Sequence, residues 1–240
     1  ASNQPVWGDC RRLVIGDQQL ILDQAPLWDP ALPCSSQRLV IRDPTIASIL
    51  ATYAGWPHLD PQSPIEQTLS ATIKRSANDL QLALALGHDL EPAVRRLAGL
   101  GLGLTPSGDD YLVGVMAALW LAGQRDINLR IERIAKPRTT ALSAAFLHAA
   151  ACGDFAEPWH NLARGLASQD PVRVAQAGRD LTSVGAYSGY DALAGFAATI
   201  SGLAATPAAN GPAGDAILPE FDFLLVKRAR QKTPGRHNPD

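Results

Sequence analysis

Two stretches of this chain are apolar or small on every side, yet each opens on a serine, a glycine and a carboxylate. In residues 109–122, Tyr111, Leu112, Val113, Val115, Met116, Leu119 and Trp120 leave no polar face. In residues 189–205, Ala192, Leu193, Ala194, Phe196, Ala197 and Ile200 do the same, and the Gly and Ala content lets another backbone come close. A helix without a polar side belongs inside a protein. Two such helices need a wrapping of further elements, and 240 residues are enough to supply it. An apolar content of 46% with a net charge of −2 excludes intrinsic disorder for most of the chain. The same near-neutral charge argues against a nucleic-acid partner, because phosphate contacts need clustered Lys and Arg. No apolar run approaches the ~18 residues that a membrane span requires.

Around these two helices the hydrophobic period divides the chain. Residues 1–50 read as β. Arg12-Leu13-Val14-Ile15, Gly16-Asp17 and Gln19-Leu20-Ile21-Leu22 form a hairpin signature. Leu39-Val40-Ile41 is a third strand candidate, and Pro57, Pro61 and Pro64 mark a junction. From Pro64-Ile65-Glu66 onward the period becomes helical, with Ile65, Leu69, Ile73, Leu80 and Leu84 sharing a face. A shorter helix starts at Glu91-Pro92, and others are expected at 139–151, 158–168 and 171–182. Phe221, Phe223 and Leu225 suggest a terminal extended segment, followed by a disordered tail over 230–240. The expected fold class is α+β. Its parts are a β-rich region over 1–60, a helical domain over 61–210 that carries the motifs, and an extended C-terminal segment with its tail over 211–240.

The stretch that points to chemistry is Gly99-Leu100-Gly101-Leu102-Gly103-Leu104-Thr105-Pro106-Ser107-Gly108-Asp109-Asp110. Alternating glycines open backbone conformations closed to other residues. Thr-Pro-Ser then delivers the chain to a helix start, where free N–H groups can hold an anion. No Lys follows the glycines, so this is not a Walker loop. Ser107-x-x-Asp110 also fits a capping box, in which both side chains merely satisfy the helix's own N–H groups. Against that stands the cost of two adjacent carboxylates at the mouth of a buried helix. They make sense if they face a polar cavity.

The pattern recurs. Ser107-Gly108-x-Asp110-x-Leu112-x-Gly114 matches Ser188-Gly189-x-Asp191-x-Leu193-x-Gly195. If the two helices start side by side, Ser107, Asp110, Ser188 and Asp191 can point into one pocket; the alternative is two unrelated capping boxes. Thr139-Thr140-x-x-Ser143, after Arg138, is a third polar patch at a helix start, where a cap is the default reading.

Other residue types say less. His58, His88, His148, His160 and His237 show no zinc-ligand spacing. His148, on an apolar helix, reads as a satisfied core residue, and Cys152 as a small buried thiol rather than a nucleophile. No G-x-S-x-G elbow is present. Cys10, Cys34 and Cys152 are an odd number without C-x-x-C spacing, which favours a reducing cytoplasm over a disulfide framework. The start Ala-Ser-Asn-Gln-Pro-Val-Trp has neither a basic nor an apolar leader region, so no signal peptide is expected.

Residues 101–110 resemble the G-x-G-L-T-P-S-G-D-D hallmark of a bacterial family that includes the AllH subunit of oxamate carbamoyltransferase. The resemblance extends to Thr139-Thr140-Ala141-Leu142-Ser143, to Gly153-Asp154-Phe155, and to Gly185-x-x-Ser188-Gly189-x-Asp191-x-Leu193-Ala194-Gly195. It covers about residues 95–200. It implies a subunit that helps move a carbamoyl group between an amide-type acceptor and phosphate, in purine and amide catabolism. Partners resembling acyl-CoA synthetases and carbamate kinases are implied as well.

The family's own catalytic residues are unassigned; the residues themselves, two adjacent carboxylates entering a buried helix, make Asp109 and Asp110 the candidate catalytic residues. Gly101, Gly103, Thr105, Ser107, Gly108, Thr139, Thr140, Ser188, Gly189 and Asp191 are candidates for binding a carbamoyl phosphate or amide-type substrate. Phosphate and two carboxylates repel, by ~1 kcal/mol at 4 Å in water and by several in a partly buried site. Either Mg²⁺ bridges Asp109 and Asp110 to the anion, or the carboxylates accept hydrogen bonds from the carbamoyl NH₂. The second role is favoured for Asp110. The backbone at Gly101 and Gly103 would then hold the phosphate or a developing oxyanion. Two rival expectations are a non-catalytic metabolite- or anion-binding subunit and a structural assembly protein.

Overall fold

The computed structural model describes residues 5–9, 11–33, 41–54 and 63–205. The chain divides into two compact units, Ala1–Pro30 and Ala31–Asp240. In the first, β2 (Arg12–Ile15) and β3 (Gln18–Ile21) pair antiparallel, with Ile15 opposite Gln18. The two-residue turn between them needs a positive φ, and Gly16 supplies it at 57°. A further strand, β1 (Val6–Gly8), adds to β2 with Val6 opposite Ile15. The sheet order is β1-β2-β3, and Val6, Leu20 and Ile21 stay exposed on it.

The second unit is helical among the described residues. Its elements are α1 (Pro44–Ala54), α2 (Pro64–Leu86), α3 (Glu91–Leu97), α4 (Ser107–Leu121) and α5 (Arg125–Ala135), then a short 3-10 turn Lys136–Arg138. After these come α6 (Ala141–Cys152), α7 (Glu157–Ala167), α8 (Pro171–Thr182) and α9 (Ser188–Ala205). The fold class is therefore α+β, a small antiparallel sheet followed by a larger helical region.

Local sequence explains the boundaries. Ser63 accepts from the Glu66 N–H while Glu66 reaches back, and Pro64 occupies the first turn of α2. Gly87 closes that helix in the left-handed region. Asp170 caps α8 by accepting from the Arg173 N–H. Among the described residues no helix is long and apolar enough to cross a membrane.

Two helices lie where none was expected, one inside residues 1–50, read as β, and one between the helices expected at 109–122 and 139–151. Helix α1 lies inside the first of these stretches. Ile46 and Leu50, one turn apart, are fully buried, and Ile49 and Tyr53 pack partly on the core. Helix α5 fills the second, with Ile131 and Ile134 inward. Of the proposed strand Leu39-Val40-Ile41, only Ile41 is described, and it lies in no strand. The expected segment at 221–226 and the tail at 230–240 lie outside the described residues.

At the centre, α4 packs along α9. Every residue of α4 except Ser107, Val113 and Leu121 is buried. Backbones can approach this closely because of one glycine on each helix. A Cβ at Gly114 would overlap the Ala192 carbonyl oxygen, and a Cβ at Gly195 would overlap that of Tyr111. Tyr111 follows Asp110 and Ala192 follows Asp191. The two Ser-Gly-x-Asp-x-Leu-x-Gly segments thus meet reciprocally, each final glycine lying on the residue after the other's aspartate. The serine-linked glycines match as well. A Cβ at Gly108 would overlap the carbonyl of Leu97, which ends α3, and one at Gly189 would overlap that of Leu181, near the end of α8. The sequence repeat is a local two-fold relation between helices. Gly108 and Gly189 are explained by packing.

Candidate functional site

The reciprocal crossing brings the starts of α4 and α9 together. Thr105, two residues ahead of α4, and Ser188, the first residue of α9, share a hydrogen bond between hydroxyls at 2.9 Å. Both hydroxyls lie beside the Asp110 carboxyl and favour its charged form. Asp191 is near enough for its charge to act on Asp110 in the opposite sense.

The capping-box reading of Ser107-x-x-Asp110 does not hold. The N-cap of α4 is Pro106, with Ser107 already the first helical residue, and no side chain caps this end. The Asp109 and Asp110 N–H groups are met by the Pro106 carbonyl, and the Gly108 N–H by that of Leu100 at 2.8 Å. The entering loop therefore occupies N–H groups that the sequence offered to an anion. For Thr140 the default reading is right: its hydroxyl accepts from the Ser143 N–H as the N-cap of α6. It also donates to the Leu104 carbonyl at 2.6 Å, which ties α6 to the glycine loop.

Adjacent in sequence, Asp109 and Asp110 have different surroundings. Asp109 is 1% exposed. One of its oxygens accepts from the Gly99 N–H at 2.9 Å and the other from the Thr139 hydroxyl. Burial pushes its carboxyl above the usual carboxylate range, while these two donors and the nearby Ser143 hydroxyl pull it back. Asp109 thus fastens the beginning of the loop to the start of α6. Gly99, the fourth partner in this arrangement, was not among the expected site residues. Its signal was its place in the alternating glycine series.

Asp110 is only 8% exposed, and among the described residues its Oδ2 has no hydrogen-bond partner. Burial is the main cause that lifts its carboxyl to about 7, and the charges of Asp191 and Asp109 add to it. The Ser188 and Thr105 hydroxyls act against that rise. A buried acceptor without a donor costs free energy. At this position it is a group waiting for one. The Ser143 hydroxyl, 2% exposed, acts on the Asp109 carboxyl without a well-formed hydrogen bond among the described residues.

The loop glycines differ from each other. Gly101 has φ 140° and Gly103 φ 90°, both outside the range of ordinary L residues. A Cβ at Gly101 would overlap the Ser107 nitrogen, so this glycine lets the loop fold over the start of α4. Gly103 has open space around its Cα and is exposed. It lies in an exposed stretch of the loop, between Leu102 and Leu104, which are exposed as well.

A metal ion bridging Asp109 and Asp110 would share Asp109 oxygens that already accept from the Gly99 N–H and the Thr139 hydroxyl. Among the described residues no group of three or more His, Cys, Asp or Glu is arranged to hold a metal ion. Two further expectations are corrected. His148 is not a core residue, since its side chain is 58% exposed and bonded to Glu132. Cys152 is exposed, not buried.

No solved structure matches the chain. Residues 97–200 match the family model described as oxamate carbamoyltransferase subunit AllH. The matched stretch runs from the end of α3 into α9, so the glycine loop, Asp109, Asp110, Thr139, Thr140, Ser188 and Asp191 all lie within it.

Proposed function

We propose that this chain is a subunit of a carbamoyl-transferring enzyme and that the paired starts of α4 and α9 hold the carbamoyl end of the substrate. The family description supports the reaction class. The observation that carries the site is the buried Oδ2 of Asp110, orphaned among the described residues, on a carboxyl that the hydroxyls of Thr105 and Ser188 act on. A carbamoyl NH₂ brings the missing donor. Loop N–H groups at the open Gly103 stabilise the opposing oxygen. Asp109, Thr139 and Thr140 act through the loop, as positioning residues. Oxamate and carbamoyl phosphate are the substrates proposed, in amide catabolism, with other subunits completing the enzyme.

The sign of the pH effect follows from Asp110. An ionised carboxylate accepts more strongly from an NH₂ than a neutral acid does. Ligand affinity should therefore rise as pH passes about 7, where Asp110 titrates. Asp110→Asn exchanges an acceptor for a donor and mis-pairs with the NH₂. An interaction of this kind is worth ~1.5–3 kcal/mol, roughly ten- to a hundred-fold in activity. The test measures turnover with the partner subunits present and oxamate binding to the chain alone, on one folded preparation. Activity of Asp110→Asn within about twofold of the parent, far from that expected loss, would remove Asp110 from the chemistry. A chain that still bound oxamate would then be a non-catalytic binding subunit.

A further inference from the structure

A second cluster of reactive side chains lies at the other end of α6. His148 and Cys152 stand one helical turn apart, and the His148 Nε2 is 3.9 Å from the Cys152 Sγ. The other ring nitrogen, Nδ1, is 2.8 Å from Glu132 Oε1 on the adjoining α5. Glu132 is the most sheltered of the three, with 14% of its side chain exposed, and Lys136 bonds the same oxygen at 3.3 Å. The carboxylate accepts from Nδ1–H and so leaves Nε2 as a base facing the sulfur. The thiol is open to solvent at the end of α6, where Gly153 turns the chain in the left-handed region.

We propose that Cys152 is a modification site, a thiol activated by His148 and oriented through Glu132, which exchanges with low-molecular-weight disulfides. The thiol proton passes to His148 Nε2, and the thiolate attacks one sulfur of the disulfide. The S–S bond breaks, and the departing thiolate takes the proton back from Nε2. The products are a mixed disulfide on Cys152 and one free thiol. Atoms and electrons balance, with the small disulfide as the oxidant.

The electrostatic setting makes the base necessary. Partial desolvation by its neighbours raises the thiol above its ordinary value, with the charges of Asp154 and Glu132 adding to this and Lys136 opposing it. Unaided, the thiol stays protonated at neutral pH, and the thiolate is the nucleophile. His148 supplies what Asp154 and Glu132 take away.

The test uses the full chain carrying Cys10→Ser and Cys34→Ser, with dithiobis(nitrobenzoate) as the disulfide. Release of the coloured thiolate gives the rate, and intact-protein mass gives the adduct. Cys152→Ser should give no adduct. His148→Gln should slow labelling roughly a hundredfold near neutral pH, the low end of what a positioned base contributes. The two rates should converge as the pH rises well above the ordinary thiol range, where the thiol ionises without help. Glu132→Gln separates orientation from charge. Loss of a negative charge alone would speed the reaction, whereas loss of the group that holds Nδ1–H slows it. Labelling of His148→Gln within about twofold of the parent at neutral pH, well short of the contribution of a base, overturns the proposal. So does a faster Glu132→Gln.

Discussion

Replacing Asp110 by Asn should change how stability depends on pH, and the structure fixes both size and sign. Asp110 is buried and titrates at about 7 instead of an ordinary 3.8. At about 1.4 kcal/mol per pH unit, ionising it in the folded chain costs about 4 kcal/mol more than in the unfolded one. The folded state holds the proton more tightly, so the parent is most stable below the unfolded value. That stability is lost as pH rises from 3.8 through about 7, and levels off above. Asn cannot ionise and escapes the loss. Its NH₂ stands where Oδ2 has no partner, and an unpaired buried donor costs about 1–3 kcal/mol at any pH. Asp110→Asn should therefore be less stable than the parent by about 1–3 kcal/mol near pH 4, and more stable by a similar amount near pH 8. Urea unfolding across this range measures the difference, provided the denaturant slopes agree. Asp109 is present in both proteins and cancels to first order. A difference constant to within about 1 kcal/mol from pH 4 to 8 would refute the argument, since it would mean that Asp110 ionises freely when folded.

The central helix crossing is equally exposed to test. Gly114→Ala places a Cβ on the Ala192 carbonyl and should cost about 3 kcal/mol or prevent folding, read by circular dichroism and urea melts. In the loop, Gly103→Ala meets only the strain of a positive φ, about 1 kcal/mol. Gly101→Ala bears that strain and also overlaps the Ser107 nitrogen. Thermal melts of the two should rank Gly101→Ala clearly below Gly103→Ala, and equal melts would mean that the loop does not lie over the start of α4.

Parts of the candidate site were legible because a glycine or an acid in an unusual place leaves a trace in sequence. The alternating glycines announced backbone that only they can adopt, and Gly101 and Gly103 do adopt it. The repeated Ser-Gly-x-Asp announced two equivalent helix starts. Its letters also spell a capping box, and local pattern cannot choose between the two. The choice falls to Pro106, which takes the cap position and supplies the first carbonyl. His148 and Cys152 were misplaced for a related reason. An apolar helix such as α6 suggests burial on all sides, but Phe146, His148 and Cys152 lie exposed on it.

By itself the sequence determined which segments could survive only as buried helices, because residues 109–122 and 189–205 have no face to give to water. It determined the hairpin as well, since Gly16 meets the dihedral demand of a two-residue turn. Only the tertiary structure decided what the two aspartates do. Residues 109 and 110 are neighbours on a helix, so their side chains leave it about 100° apart. One meets the Gly99 N–H and the Thr139 hydroxyl, and its charge is absorbed by the chain. The other meets Thr105, Ser188 and the charge of Asp191, contributed from 78 to 81 residues away in the case of α9. A carboxyl's proton affinity depends on the donors, charges and solvent within a few ångströms. Those neighbours are set by how α4 crosses α9, which no local stretch of sequence contains.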